Sequence, residues 1–210
     1  MATTAKPSAV TKPSAATDVM NLPNQLTIAR LVLSIVLFAC IGLGWYLASL
    51  FIFLIAAGTD WLDGYFARKY GMVTTLGRIL DPFADKVIIC GTFIFLVAIP
   101  HSGLHELGFR AWVVVLVVGR ELLITGLRSF LEQQGADFSA AMSGKLKMVA
   151  QCAAAGFSLG YLAWPTLGTQ PALAPLWLSA SVEVSVWATV LLTAYSGVVY
   201  VLAAIKLMRP

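Results

Sequence analysis

Charge is scarce in this chain. Asp, Glu, Lys and Arg make up 11% of its 210 residues, against about 25% in an average soluble domain. Histidine is rarer still: His101 and His105 fall together in one segment between apolar runs, where exposed loop residues are expected rather than catalysts. No Ser–His or Cys–His arrangement is present to suggest a covalent intermediate. The three cysteines, Cys40, Cys90 and Cys152, stand far apart in apolar stretches. They lack metal-ligand spacing and leave one over in any pairing, so they read as small buried residues. No basic cluster interleaved with aromatics appears, which argues against a nucleic-acid partner. Residues 1–19 have no apolar core, which excludes a conventional secretory signal. Rich in Ala, Thr, Ser and Pro, residues 1–20 are expected to form a disordered cytoplasmic tail. With no internal repeat, residues 21–210 read as one domain.

What is abundant is apolar surface: 59% of the residues are hydrophobic, and the mean hydropathy is +0.85. This predicts an all-α, polytopic membrane protein with six transmembrane helices, near 26–43, 45–66, 79–99, 111–130, 144–164 and 184–206. The run from Leu31 to Gly58 also suits one long helix, but Gly42 and Gly44 beside Trp45 favour a tight hairpin. The segment 165–183, rich in Pro, is expected as an outer loop, with Trp164 and Trp177 at the membrane interface. Six spans put Lys6, Lys12, Arg30, Arg68, Lys69, Arg78, Lys145, Lys147, Lys206 and Arg209 on one side and only Arg110 in the outer loops. That bias predicts both termini, and any polar cavity among the basic helix ends, on the cytoplasmic side.

Four of the ten acidic residues fall in one window, Asp60, Asp63, Asp81 and Asp85. Carboxylates at membrane depth are costly and usually functional. Asp60 and Asp63, three apart, share a face of the second span; Asp81 and Asp85, four apart, share a face of the third. The short link 69–76 lets all four converge just inside the membrane surface. Four converging anions repel one another, and a hard divalent cation such as Mg²⁺ or Mn²⁺ relieves this. Gly64, Ala67 and Gly77 leave room for a ligand, and Arg68 suits a phosphate. Two other readings stay open: ion pairs with Arg68, Arg78 and Lys86, or a carboxylate-lined cation transporter.

The window reads D-x2-D-G-x2-A-R-x8-G-x3-D-x3-D from Asp60 to Asp85, and in this it resembles the CDP-alcohol phosphatidyltransferase family in full. Asn21–Arg30, Leu76–Lys86, Gly119–Arg128 and Ser143–Lys147 with Gln151 are similar to the bacterial branch that uses glycerol 3-phosphate as acceptor. The resemblance implies a six-helix, usually homodimeric enzyme of the bacterial cytoplasmic membrane. It implies two metal ions on Asp60, Asp63, Asp81 and Asp85, with Asp85 also the general base. It implies a CDP-lipid site with Asn24, Thr27, Gly64, Ala67, Arg68 and Gly77. Asn24 also suits a helix N-cap and Thr27 a back-bonding hydroxyl. The implied reaction moves the phosphatidyl group of CDP-diacylglycerol to sn-glycerol 3-phosphate, making phosphatidylglycerol phosphate and CMP for phospholipid biosynthesis.

Such an acceptor carries phosphate, so its site calls for cations. Arg120 and Arg128 are eight apart on nearly one helix face, Lys145 and Lys147 open the fifth span, and Arg30 lies one turn into the first. Arg120, Arg128 and Lys145 are the favoured set. Pairing of Arg120 with Glu121 is disfavoured, since adjacent helix residues do not face each other. Inositol phosphate fits the same cations; serine and phosphatidylglycerol remain as further acceptors.

Overall fold

Each apolar run forms a helix. In chain order these are α1 (Leu22–Gly42), α2 (Tyr46–Tyr70), α3 (Thr75–Val97), α4 (Ala111–Gln133), α5 (Met142–Leu167) and α6 (Leu176–Met208). The computed structural model describes residues 22–70, 75–133, 142–167 and 173–208, and no strand occurs among them. The tail expected over 1–20 lies outside the described residues.

The hairpin between α1 and α2 is set by backbone chemistry. Gly44 takes φ +76°, a conformation that costs little only without a Cβ. Its N–H donates to the Ile41 carbonyl (3.0 Å), and that of Trp45 to the Cys40 carbonyl (2.9 Å). These two bonds close α1 with a Schellman motif, which settles the choice between one helix and two.

The segment 165–183 corrects the expectation of a loop. α5 continues through Pro165 to Leu167, and α6 begins at Leu176. Pro165 sits in the last turn of α5, where few helical bonds remain to lose. The Pro175 carbonyl accepts from the N–H groups of Leu178 (2.9 Å) and Ser179 (3.2 Å), so Pro175 starts α6. Ser179 and Ser181, polar residues that read as loop, return their hydroxyls to the carbonyls of Leu176 (3.0 Å) and Trp177 (2.7 Å). The Trp164 and Trp177 rings meet edge to face with centroids 6.2 Å apart, tying the end of α5 to the start of α6.

Side-chain contacts fix the helix directions. Arg30 meets Asp85, and Phe38 stacks on Phe95 (5.1 Å), so α1 and α3 run parallel. Trp112 lies near Trp187 and Arg120 over Tyr200, so α4 and α6 run parallel. Gly144 lies by the Tyr200 hydroxyl, Gly156 by Phe53 and Gly160 by Leu50, so α5 runs opposite to α6 and α2. The packing partners form a circuit, α1–α2–α5–α6–α4–α3 and back to α1, with α5 also touching α3. Leu37, Phe53, Phe93, Val117, Leu159 and Val186 are among the residues of the shared core. The alternation brings the starts of the odd helices and the ends of the even ones to one end of the bundle. The basic residues of the described helices, from Arg30 to Lys206, lie toward that end, apart from Lys86 and Arg120 near the middle of their helices.

The outward faces are apolar. Ile35, Val115, Val149, Val184 and Leu191 are all well exposed, far more greasy surface than a water-soluble chain of this size shows. α6 holds a stretch from Leu176 to Ile205, 30 residues, long and apolar enough to cross a membrane, and Thr27–Gly42 and Tyr46–Thr59 are shorter apolar stretches. At 1.5 Å per residue, α6 exceeds the roughly 30 Å of hydrocarbon. The all-α architecture and this surface are those of a membrane protein.

One close approach carries a stability prediction. A Cβ on Gly91 of α3 would overlap the Phe38 ring of α1, itself stacked on Phe95. Gly91→Ala is expected to destabilise the fold by about 1–3 kcal/mol through overpacking. Thermal unfolding of the detergent-solubilised protein checks this, and adding Phe38→Leu should recover part of the loss.

Candidate active site at the charged end of the bundle

The aspartates arrive on two consecutive helices. Asp60 and Asp63 lie in the second half of α2, and Asp81 and Asp85 in the first half of α3. Gly64, Ala67 and Arg68 follow on α2, and Gly77 precedes Asp81 on α3. The side chains of Asp60, Asp63, Arg68 and Asp81 lie outside the described residues, as does that of Asn24. Asn24 falls inside α1, which begins at Leu22, so the capping role is overturned: its backbone is already helical. Thr27 is buried on the same helix.

Asp85 is described in full. Its Oδ1 accepts from Arg30 Nη1 at 2.5 Å, across 55 residues of sequence. The Arg30 side chain is 2% exposed and that of Asp85 29%. The guanidinium comes from a well-held turn, since the Ser34 hydroxyl donates to the Arg30 carbonyl (2.8 Å). Arg30, expected among the acceptor-phosphate residues, is thus directed at a carboxylate. The reason is register: α1 and α3 run parallel in contact, and Arg30 and Asp85 lie at the same level.

A second ionic cluster occupies α4, α5 and α6 at the same end. Glu121 Oε1 accepts from Lys147 Nζ and from Arg120 Nη1 (3.3 Å). Arg120 Cζ also lies over the Tyr200 ring, 5.4 Å from its centroid. Glu121 and Lys147 are 8% and 5% exposed. The pairing of Arg120 with Glu121, disfavoured from spacing, does form. Neighbouring Cβ atoms diverge, but the long Arg120 side chain bends back to the carboxylate that Lys147 also holds. Arg128 is half-buried further along α4, and Lys145 is exposed in the first turn of α5.

Three residues in or beside this cluster received no role from the sequence: Glu121, Gln151 and Tyr200. A signal was available for Glu121, because an acidic residue within an apolar span is unusual unless it has a task. Gln151, one turn beyond Lys147, is buried, and its Nε2 has no partner among the described residues.

Chemically, this end offers an oxygen-only donor set on two helix ends. Asp85 is reachable from solvent, and one of its oxygens is already occupied by a guanidinium. Hard carboxylate oxygens suit Mg²⁺ or Mn²⁺. Buried cations lie on the neighbouring helices, where an anionic substrate would be neutralised.

Comparison with known proteins agrees with this division. A sequence profile of the CDP-alcohol phosphatidyltransferase family matches residues 20–195. The chain is 39% identical over 147 residues to the CDP-diacylglycerol–glycerol-3-phosphate 3-phosphatidyltransferase of Bacillus subtilis, covering 62% of this chain and 72% of that one. It is 32% identical over 189 residues to the enzyme of the same name from Rickettsia bellii, covering 89% and 96%. The Salmonella choleraesuis enzyme of that name is 35% identical over 153 residues, covering 69% and 77%. With the profile spanning α1 to α6 and the aspartate motif complete on α2 and α3, the chain belongs to the CDP-alcohol phosphatidyltransferase family.

Proposed function

We propose that this protein transfers the phosphatidyl group of CDP-diacylglycerol to sn-glycerol 3-phosphate, giving phosphatidylglycerol phosphate and CMP. The observation that carries this reading is the buried Arg120–Glu121–Lys147 cluster at the same bundle end as the four aspartates. It pairs cations for a phosphorylated acceptor with the family's reaction centre. The names of the relatives point the same way.

In this reading Asp60, Asp63, Asp81 and Asp85 hold two Mg²⁺ or Mn²⁺ ions, which when bound offset the charge of the pyrophosphate. Asn24, Thr27, Gly64, Ala67, Arg68 and Gly77 line the CDP-lipid site. Asp85 takes the proton of the acceptor's primary hydroxyl. The hydroxyl oxygen forms a bond to the lipid-side phosphorus, the bond from that phosphorus to the bridging oxygen breaks, and CMP leaves with the electron pair. Arg30 holds Asp85 in place. Arg120, Arg128 and Lys145 receive the acceptor phosphate, with Lys147 acting through Glu121.

All six helices cross the membrane as one domain over 21–210, with residues 1–20 as a cytoplasmic tail. Both termini and the reaction centre face the cytoplasm of a bacterial cell, and the enzyme works as a homodimer among membrane lipids.

The test is CMP release by purified protein with CDP-diacylglycerol and Mg²⁺, varying the acceptor. Release with glycerol 3-phosphate alone is the expected result. Release only with inositol phosphate, serine or phosphatidylglycerol would keep the reaction class and overturn the acceptor. Ion flux without CMP release would overturn both. Lys145→Ala should raise KM for glycerol 3-phosphate by about tenfold, the loss of a charge-assisted contact, with a smaller change for CDP-diacylglycerol. An equal rise in both would argue against a contact with the acceptor.

A further inference from the structure

We propose that Glu121 is a positioning residue whose carboxylate fixes Arg120, through Lys147, so that the Arg120 guanidinium presents its Nε edge to the acceptor's phosphate. This rests on the acceptor reading above.

The geometry supports it from three helices. Glu121 Oε1 is shared between Lys147 on α5 and Arg120 on its own helix. A carboxylate gripped by a buried ammonium cannot swing, so it serves as a fixed anchor for the guanidinium. The Tyr200 ring of α6 covers the guanidinium face at 5.4 Å. Gly197, one turn earlier on α6, makes room: a Cβ there would sit 3.6 Å from Arg120 Cγ. Arg120 is thereby held at one Nη and on one face. Of its remaining N–H groups, the one on Nε is buried and has no acceptor among the described residues.

A second orphan donor lies one turn further along α5. Gln151 follows Lys147 by one turn on α5, is 2% exposed, and its Nε2 also has no acceptor among the described residues. Leaving two buried N–H donors unpaired is unfavourable, and such exceptions ask for a partner. A phosphate monoester brings three acceptor oxygens, and an arginine edge binds such a group bidentately.

The charge count agrees. Glu121 neutralises Lys147, which the structure keeps 5% exposed, so Arg120 supplies the cluster's net positive charge. In this arrangement Lys147 does not touch substrate. A neutral acceptor would gain nothing from the device, so Glu121 also contributes to the choice of a phosphorylated acceptor.

The experiment measures kcat and both KM values by CMP release, with thermal stability alongside, in the full-length protein. Four enzymes are compared: wild type, Arg120→Ala, Glu121→Gln and the double variant Glu121→Gln/Lys147→Met. The double variant removes the buried charge pair together, which preserves stability better than stranding one partner. Glu121→Gln is expected to raise KM for glycerol 3-phosphate about tenfold or more, with KM for CDP-diacylglycerol little changed. The double variant is expected to regain stability and keep the raised KM, since Arg120 still lacks its anchor. A double variant with wild-type KM would overturn the proposal, leaving the pair a purely structural one. So would equal rises in both KM values. If Arg120→Ala leaves KM for glycerol 3-phosphate unchanged, the acceptor reading itself fails, and the proposal with it. A raised KM in Arg120→Ala beside a wild-type KM in the double variant removes only the role of Glu121.

Discussion

An Asp85→Asn enzyme should release CMP about 10²–10⁴-fold more slowly than wild type, the range for loss of a positioned general base, while still binding CDP-diacylglycerol. Asparagine keeps the size of the side chain, and its carbonyl can still accept from Arg30 Nη1, which now meets Oδ1 at 2.5 Å. What it loses is basicity and the negative charge that the proposed metals would meet. The remaining three aspartates and the residues proposed for the CDP-lipid site are untouched, so substrate binding should persist. CMP release under single-turnover conditions, with binding of the CDP-lipid measured separately, checks both halves. Near-normal turnover would remove Asp85 from its role as base.

Arg30→Gln should lower kcat by about 10–100-fold, the worth of a hydrogen bond to a charged group, with KM for glycerol 3-phosphate near that of wild type. The guanidinium is almost fully buried and aimed at the carboxylate proposed to perform the proton transfer. Losing it lets Asp85 leave its productive rotamer. Arg30→Lys should fall between the two enzymes, because an ammonium keeps the charge but not the planar fork. The opposite split, a raised KM for glycerol 3-phosphate with kcat unchanged, would return Arg30 to direct contact with the acceptor. Steady-state kinetics with each substrate varied in turn distinguish the two.

Much of this was legible because long apolar runs leave the backbone few choices. The six helices fall close to the predicted spans, and the parity of spans already assigned the basic residues to one end. The Gly42–Gly44 hairpin was legible from residue chemistry, and the Schellman bonds at Gly44 bear it out. The start of α6 was misread because Ser179 and Ser181 look like loop residues, yet in a helix they satisfy themselves on their own carbonyls. The Arg30–Asp85 pair was out of reach: its partners are 55 residues apart, and no local pattern encodes which helices pack in parallel. The pairing of Arg120 with Glu121 was misjudged for a different reason. The rule that adjacent residues diverge describes Cβ directions, and it says nothing about a long side chain drawn back by a third group on another helix.

The ion pairs also order the protein's biogenesis. In the proposed six-span topology Arg30 would enter the membrane with the first helix, but its carboxylate partner only with the third, and Glu121 precedes Lys147 by 26 residues. A nascent chain halted after α2 therefore carries an arginine without Asp85, an unfavourable state in lipid. The early helices would stay without these ion pairs until α3 and then α5 emerge. Later helices would thus lock earlier ones, α3 holding α1 and α5 holding α4, and truncation from the carboxyl end that removes α6 leaves the Arg30–Asp85 clasp in place.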